Sequence, residues 1–222
     1  MDKQVVLYWS GGKDSAMALH EISTNERYEG YRVTSLLTTL TEGYDRISGH
    51  GVRRPLLERQ AACLGLDLYK TYISKSSTMS EYESVIEQAL LTQKREGITV
   101  AASGDIFVEK RRMAIFKKTG MAGCFPLLQK NSYEHLETLI EIGFKAYVVC
   151  IDAMILDKSL VGRIIDSHFL DELPVGVDPC GENGEFHSFV FDGPIFRERV
   201  RCKLGEVVLR EGFYFCDILL DD

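Results

Sequence analysis

Short apolar runs alternate with helical patterns through the first half of the chain, and this alternation constrains the fold more than any other feature. Residues 5–9 are continuously apolar, as in a strand buried on both faces. The pattern then predicts helices over residues 16–22, 53–64 and 80–95, and strands over residues 31–40, 66–73 and 98–102. Strands separated by helices predict a parallel sheet covered by helices, which places this part of the chain in the α/β class.

The pattern changes from about residue 120 onward, where Pro126 interrupts it. A helix is predicted next, over residues 133–142, and then a strand over residues 146–151. The tail is rich in β-branched and aromatic residues broken by glycines, and it predicts strands over residues 187–191, 200–204, 207–209 and 213–220. We therefore predict two domains, an α/β domain over residues 1–124 and a smaller α+β domain over residues 125–222.

Charge and cysteine content exclude several classes of protein. The formal net charge is −7 over 222 residues, and an acidic surface argues against coating nucleic acid through its global field. No apolar run is long enough for a membrane helix, and the first is too short for a signal peptide, so we expect a cytoplasmic protein without a membrane partner. The six cysteines form no C-x-x-C pair, which favours reduced core thiols over a disulfide framework. The oligomeric state stays open, with a homo-oligomer among the options.

A short polar segment joins the first predicted strand to the first predicted helix, and it reads Ser10-Gly11-Gly12-Lys13-Asp14-Ser15. The glycines permit close backbone approach to an anion, and the helix N-terminus supplies N–H groups and a partial positive charge. Lys13 adds a full charge and the serine hydroxyls add donors. The common P-loop has four residues between its first glycine and the Gly-Lys pair, which this segment lacks. We predict a phosphate-binding loop of another type.

Two further polar positions follow predicted strands. Gly104 and Asp105 come after the strand over residues 98–102, at the carboxyl end where parallel sheets bind ligands. Asp105 is a candidate ligand for Mg²⁺ or for a ribose, and a helix N-cap is the alternative. His50 lies in the loop after the second strand, where it either faces a nucleotide or is a surface histidine.

The other unusual stretch lies near the C-terminus, over residues 178–187. Glu182, Glu185 and His187 fall close together, and Asn183-Gly184 between the two glutamates favours a tight turn. Such a turn brings the two carboxylates near each other. Carboxylates beside an imidazole can position an amine, remove its protons or bind Mg²⁺. A polar hairpin tip without chemistry is the simplest alternative.

Taken in order along nearly the whole chain, these segments resemble the N-type ATP pyrophosphatases, whose phosphate loop reads S-G-G-x-D-S. Residues 182–187 resemble the E-x-G-E-[FY]-H segment of the diphthine–ammonia ligase family. The resemblance implies a Rossmann-like PP-loop domain of the adenine nucleotide alpha-hydrolase type, followed by a smaller α+β domain. It also implies that ATP is bound by Ser10, Gly11, Gly12, Lys13, Asp14 and Ser15, with Gly104, Asp105 and His50 near the nucleotide.

In that family the carboxylate of diphthine, a modified histidine on the translocation elongation factor, is adenylated with loss of pyrophosphate, and ammonia then forms the amide. The resemblance thus implies ATP, Mg²⁺ and ammonia or another amine donor, with Lys13, Glu182, Glu185 and His187 as catalytic residues. Residues 45–53 look closer to bacterial relatives than to the archaeal and eukaryotic ligases, which leaves the acceptor open. The alternatives are activation of a tRNA base or a small carboxylate, and a nucleotide-binding module without catalysis.

Overall fold

The computed structural model describes residues 2–107 and 110–221. Its elements in chain order are β1 (Lys3–Tyr8), α1 (Lys13–Thr24), β2 (Tyr31–Thr41), β3 (Arg46–Ile47), α2 (Arg54–Leu64), β4 (Asp67–Ile73), α3 (Met79–Arg95), β5 (Val100–Ala102), α4 (Lys110–Thr119), β6 (Ala122–Cys124), α5 (Ser132–Glu141), β7 (Lys145–Asp152), α6 (Ser167–Glu172), β8 (Phe186–Asp192), β9 (Cys202–Arg210) and β10 (Phe213–Leu220). Within these described residues, no helix has both the length and the apolar character needed to cross a membrane.

The chain divides into two compact units, each built from separate stretches of sequence. The first unit comprises Met1–Ser10, Asp14–Ser48 and Gly65–Gln129, and the second comprises Gly11–Lys13, Gly49–Leu64 and Lys130–Asp222. Two segments of the N-terminal half therefore group with the C-terminal part of the chain rather than with their sequence neighbours. The single domain boundary after residue 124 stays a prediction.

The first unit contains the parallel sheet that the alternating pattern predicts. Its strand order is β4-β2-β1-β5-β6, with parallel pairing along this path and β3 added antiparallel to the end of β2. Successive strands run outward from β1 to β2 and β4, and the chain then returns to place β5 on the other side of β1. This reversal is a topological switch point, and ligands of such sheets bind outside the carboxyl ends of the two strands that flank it. The loops after β1 and β5 meet that condition.

Burial explains why these segments form the centre of the first unit. Val5, Val6 and Leu7 of β1 are fully buried, as expected for a central strand covered on both faces. Helix α3 presents Ile86 and Leu90 to the same core. Each fully buried aliphatic side chain of this kind stabilises the fold by about 1.5–3 kcal/mol relative to exposure.

The second unit contains an antiparallel sheet in the order β8-β7-β10-β9. The predicted strands over residues 146–151, 187–191 and 213–220 are present, with bounds that differ by at most one residue at either end. Strand β8 lies at an edge of this sheet, where one row of backbone groups is not used by the ladder. That edge carries part of the candidate site.

Strand β9 corrects one prediction. The sequence predicts two strands separated at Gly205, whereas β9 runs without a break from Cys202 to Arg210. A Cβ on Gly205 would lie 3.2 Å from the Asp217 Cβ and 3.3 Å from its carbonyl oxygen. The register of β9 and β10 shifts between Cys216 and Ile218, so a bulge lies opposite this glycine. Gly205 therefore marks a close backbone approach rather than a turn.

Candidate functional site

The predicted phosphate loop begins two residues after β1 ends, and α1 begins inside it at Lys13. The Trp9 backbone N–H donates to the Leu37 carbonyl at 2.8 Å, which ties the exit of β1 to β2. The Ser10 and Ser15 hydroxyl oxygens lie 3.3 Å apart, so the two ends of the loop are joined. Ser15 is the third residue of α1, so this hydroxyl pair lies at the N-terminus of the helix, a position suited to an anion.

Gly104 and Asp105 follow β5, the strand beside β1 at the switch point. A Cβ on Gly104 would lie 2.5 Å from the Asp14 carbonyl oxygen and 3.1 Å from the Ser15 backbone nitrogen. Only glycine therefore permits this loop to pack against the first turn of α1. Gly104 thus lies beside the phosphate loop, and its predicted role in nucleotide binding stays a prediction.

Asp105 forms an ion pair with Arg112 of α4. The Arg112 Nε donates to Asp105 Oδ2 at 2.6 Å, and the two side chains are only 19% and 24% exposed. The Arg112 guanidinium carbon also lies 4.7 Å from the centroid of the Tyr8 ring. The described part of α4 begins at Lys110, and the alternative role of Asp105 as a helix N-cap stays a prediction. We call Tyr8, Gly104, Asp105 and Arg112 the switch-point cluster.

In the second unit, the middle of the phosphate loop docks on the edge of β8. The Gly11 carbonyl accepts from the Val190 backbone N–H at 2.9 Å, and the Lys13 backbone N–H donates to the Ser188 hydroxyl at 3.1 Å. Gln60 of α2 is fully buried, and its Nε2 donates to the Gly11 carbonyl at 3.0 Å and to the Val190 carbonyl at 2.5 Å. We call these five residues the edge seam.

Gln60, Ser188 and Val190 are members of the edge seam that are not among the predicted site residues, and Gln60 is the one that lies furthest along the chain from any predicted site residue. It lies in an ordinary helical pattern, and nothing in its neighbourhood marks a fully buried amide. Gly11 shows why the seam is specific, because its φ is +75° and a Cβ there would lie 2.7 Å from both Gln60 Oε1 and Leu57 Cδ2. The glycine is therefore required both by its backbone conformation and by the close contact with α2.

The glutamate-rich turn is organised by a buried carboxylate. Glu185 is 3% exposed, and its carboxylate accepts from the Asp178 backbone N–H at 3.1 Å, from the Asn183 backbone N–H at 2.9 Å and from Asn183 Nδ2 at 2.9 Å. The turn is closed by the Gly184 N–H, which donates to the Gly181 carbonyl at 3.0 Å. The turn therefore centres on Glu182 and Asn183, one residue earlier than the predicted Asn183-Gly184 turn, and the Glu185 side chain bends back to bind it.

The hydrogen bonds at this turn set the ionisation of Glu185. Burial alone would raise the pKa of its carboxyl group. The Asn183 side chain and the backbone N–H groups of Glu185, Asp178 and Asn183 outweigh burial and hold that pKa below its usual range. Glu185 is therefore a carboxylate at neutral pH, and its oxygens fix the turn. Glu182 is half-buried, and its backbone N–H donates to Asp178 Oδ1 at 3.4 Å.

His187, Lys13 and His50 lie along the start of β8. The His50 and His187 rings are stacked, with centroids 4.2 Å apart and planes 26° from parallel. Lys13 is 3% exposed, and its Nζ lies 5.4 Å from the centroid of the Phe186 ring. A lysine ammonium so deeply buried requires polar or anionic partners. The structure therefore brings three of the predicted site residues to one strand end.

The basic residues after His50 are engaged with protein carboxylates. Arg53 donates from Nε and Nη2 to the Asp217 carboxylate, with a shortest distance of 2.5 Å. Arg54 Nη1 donates to Glu58 Oε1 at 2.8 Å. These pairs make the two arginines part of the second unit's own packing.

The cysteine side chains agree with the predicted reduced core thiols. All six are free thiols, and five of them are buried. Burial raises the pKa of Cys150 to about 12 and that of Cys124 to about 11. Both thiols therefore remain protonated and poorly nucleophilic at neutral pH.

Comparison with known proteins gives consistent matches over nearly the whole chain. The family model of the diphthamide synthase N-terminal domain matches residues 2–122, and that of the diphthamide synthase C-terminal domain matches residues 131–219. A human protein named diphthine–ammonia ligase is 25% identical over 232 residues, which is 94% of this chain and 86% of the human one. The mouse protein of the same name is 24% identical with the same coverage.

Two further likenesses differ in extent. The diphthine–ammonia ligase of Schizosaccharomyces pombe is 25% identical over 223 residues, which is 90% of this chain and 36% of the yeast protein. A solved structure, described as a predicted subunit of a tRNA methyltransferase from Methanocaldococcus jannaschii, aligns with a TM-score of 0.43 and 17% identity. That alignment covers 66% of this chain and 80% of the other.

Proposed function

The chain belongs to the diphthamide synthase family, and from that premise we propose that it is an ATP-dependent ligase that converts an acceptor carboxylate into an amide. The relatives named diphthine–ammonia ligase make a diphthine-like carboxylate the preferred acceptor and ammonia the preferred nitrogen donor. The acceptor would then be a modified histidine on a translation elongation factor, and the reaction would take place in the cytoplasm.

The observation that carries this proposal is the edge seam. Its hydrogen bonds join Gly11 and Lys13 of the phosphate loop to Ser188 and Val190 of β8. The strand that starts with the glutamate-rich turn is therefore held directly against the loop that would bind ATP. A nucleotide-binding module without catalysis has no need of this connection, whereas a ligase must coordinate ATP activation with an acceptor.

The proposed reaction has two steps. A carboxylate oxygen of the acceptor forms a bond to the α-phosphorus of ATP, and the bond from that phosphorus to the pyrophosphate oxygen breaks. Ammonia then attacks the acyl carbon, the carbon–oxygen bond to AMP breaks and the nitrogen loses a proton. The Lys13 ammonium and the N-terminal end of the α1 dipole would stabilise the charge that develops on the leaving pyrophosphate.

The residues near the glutamate-rich turn receive different roles in this proposal. Glu185 would position the turn, because its carboxylate already accepts three hydrogen bonds from protein groups. His187, stacked on His50, would accept the proton lost from the nitrogen, and Glu182 would hold the ammonia or ammonium.

The reaction of ATP normally involves Mg²⁺, and Asp105 is the predicted ligand in this chain. Arg112 donates to Asp105 Oδ2 at 2.6 Å, and a guanidinium so close disfavours a second cation at the same carboxylate. Asp105 therefore fits a role in orienting Arg112 better than a role as a magnesium ligand. Mg²⁺ usually enters such sites with the phosphates of its nucleotide and keeps several waters.

The test uses the full chain with ATP labelled at the α-phosphate, Mg²⁺, ammonium and an elongation factor that carries diphthine. We expect labelled AMP, pyrophosphate and an acid-to-amide mass change on the factor, with the mass change lost when ammonium is omitted. ADP as the main labelled product would overturn the adenylation. AMP formation without amidation of the factor would instead overturn diphthine as the acceptor.

A further inference from the structure

The first unit contains a cavity of about 310 Å³ beside the end of β1. Its lining includes Tyr8 of β1, Tyr82 and Glu83 of α3, and Arg111 and Arg112 of α4. Small-molecule sites usually measure about 300–1,000 Å³, so the space is large enough for a small ligand. None of the predicted site residues lines this cavity, although Arg112 connects it to Asp105.

One side of the cavity is suited to an anion. Arg111 and Arg112 are consecutive residues of α4 that both line the cavity, so two guanidinium groups bring positive charge to this side. Arg112 is held in place by Asp105 Oδ2 at 2.6 Å and by the Tyr8 ring at 4.7 Å. Its planar guanidinium is thus oriented before a ligand arrives and adds a fixed positive charge to this side of the cavity.

The rest of the lining is mainly apolar and is formed by tyrosine and aliphatic side chains. Tyr8 and Tyr82 line the cavity together with Ile86 and Ile115, and all four pack against the core of the first unit. The Tyr8 hydroxyl is buried and makes no hydrogen bond within the described residues. Burial raises the pKa of Tyr8 well above its usual range, opposed in part by Arg112, so the hydroxyl remains a donor at neutral pH.

We propose that this cavity binds the carboxylate-bearing arm of the acceptor, with the carboxylate at Arg111 and Arg112 and the carbon chain against the two tyrosines. The proposal rests on the carboxylate-activating function proposed above and names where that carboxylate is recognised. Glu83 in the lining suits a hydrogen-bonding or cationic part of the same arm. Tyr8 stands two residues before Ser10, the first residue of the phosphate loop. A carboxylate held beside Tyr8 would therefore lie near the start of that loop.

The same recognition predicts discrimination between acceptor and product. Conversion of the carboxylate to an amide removes the negative charge that the two guanidinium groups bind. The amide should therefore leave this cavity more readily than the acid that enters it.

The experiment titrates two matched probes into the full chain without ATP. The probes are 4-(imidazol-4-yl)butanoate and its primary amide, observed through ¹³C-labelled isoleucine and methionine methyl groups. We expect the acid to shift the methyl signals of Met79, Ile86 and Ile115, which line the cavity, while Met154 and Ile218 outside it stay unchanged. The amide should bind at least about tenfold more weakly.

Arginine variants test the recognition itself. Arg112→Gln and Arg111→Gln should each lower the affinity for the acid probe by about tenfold or more, and Arg112→Lys should lower it less. The control is Arg95→Gln, which changes an exposed arginine at the C-terminal end of α3, away from the α3 residues that line the cavity. It should not change the affinity for the acid probe. If loss of the Asp105 pair unfolds Arg112→Gln, the exposed Arg111 still gives the answer.

Three outcomes would overturn the proposal: no shift of these methyl groups up to about 10 mM acid, equal binding of acid and amide, or displacement of the acid by AMP from the same methyl groups. The last outcome would make the cavity a nucleotide site. The titration involves no turnover. ADP formation in the activity assay would therefore contradict the proposed ligase function, but it would not decide where a carboxylate binds.

Discussion

The switch-point cluster and the edge seam place candidate residues by two different means. In the parallel sheet, Gly104 and Asp105 lie where they do because a strand ends there, and the sheet topology brings neighbouring strand ends together. In the second unit, Gly11 and Lys13 are held by the edge of a strand that lies more than 170 residues further along the chain. Proximity in the first case follows from element order, and in the second case from hydrogen bonds that only the folded chain forms.

The contrast teaches that the phosphate loop of this protein does not fix its own conformation without contacts from distant residues. A loop at a helix N-terminus carries its own donors. Here Gly11 and Lys13 also depend on β8 and on Gln60 for their position. Changes in the edge seam should therefore affect both folding and turnover, whereas changes in the switch-point cluster should affect turnover more than folding.

The largest expected effect is at Lys13. Lys13→Ala should lower the rate of pyrophosphate release by roughly 10²–10³, as for loss of one preorganised charged donor. Since Lys13 is buried, Lys13→Met serves as the variant that keeps the volume of the stem, and Lys117→Ala on the exposed face of α4 is the control. Normal turnover of Lys13→Met at saturating ATP would show that the phosphates bind elsewhere.

Gly11→Ala tests the crowding at the seam, with Gly43→Ala as its matched control. Both glycines have φ near +75°, but a Cβ at Gly43 meets nothing within 4 Å whereas one at Gly11 lies 2.7 Å from α2 side chains. The backbone strain costs about 1–2 kcal/mol at both positions, and overpacking should add about 1–3 kcal/mol at Gly11 alone. Urea unfolding measures the difference. Equal destabilisation of the two variants would mean that the α2 side chains move aside at little cost in free energy.

Glu185→Gln tests whether the Glu185 carboxylate positions the glutamate-rich turn, because the change removes its charge and keeps its size. At neutral pH we expect a loss of about 1.5–3 kcal/mol of stability, because charge-assisted hydrogen bonds to three donors are weakened. The folded-state pKa of Glu185 is depressed, so its contribution is present above the ordinary value of 4.5 and is lost as pH falls through the lower folded value.

The pH dependence provides the check on that assignment. Wild-type stability should fall below about pH 4.5, and the fall should be shallower in Glu185→Gln, which lacks this titration. Parallel curves for the two proteins would show that Glu185 does not bind protons differently in the folded and unfolded chain.

Gln60→Glu replaces the amide donor of the seam by a carboxylate that faces two carbonyl oxygens. We expect a cost of about 1–3 kcal/mol in unfolding free energy and a raised KM for ATP, because the Gly11 carbonyl loses a donor. Gln88→Glu on the exposed face of α3 makes the same chemical change as a control. An unchanged KM in a destabilised Gln60→Glu protein would limit Gln60 to a structural role.

The smallest effect is expected at the switch-point cluster. Asp105→Asn keeps the size of the side chain but removes the charge that holds Arg112, and turnover should fall by about tenfold, or 1.4 kcal/mol. The melting temperature should change little, since the pair is partly exposed and such pairs contribute at most about 1 kcal/mol. A loss as large as that at Lys13 would point instead to direct contact of Asp105 with the reactants.

The sequence by itself determined the parallel sheet, most element boundaries and the two segments that carry candidate residues. These follow from local properties: apolar periodicity, glycine conformations and the positions of strand ends. It did not predict α4 or α6, because α4 is dominated by basic residues and α6 spans only six residues. Gly205 was also misread, since a glycine that permits close approach of two strands has the same local pattern as one in a turn.

Only the tertiary structure decided which groups work together. The buried amide of Gln60, the inward bend of the Glu185 carboxylate, the stack of His50 on His187 and the pairing of Asp105 with Arg112 all join residues by side-chain geometry. Such pairings depend on the register of strands and on which helix face is buried. Both are fixed by long-range packing that a local sequence pattern does not encode.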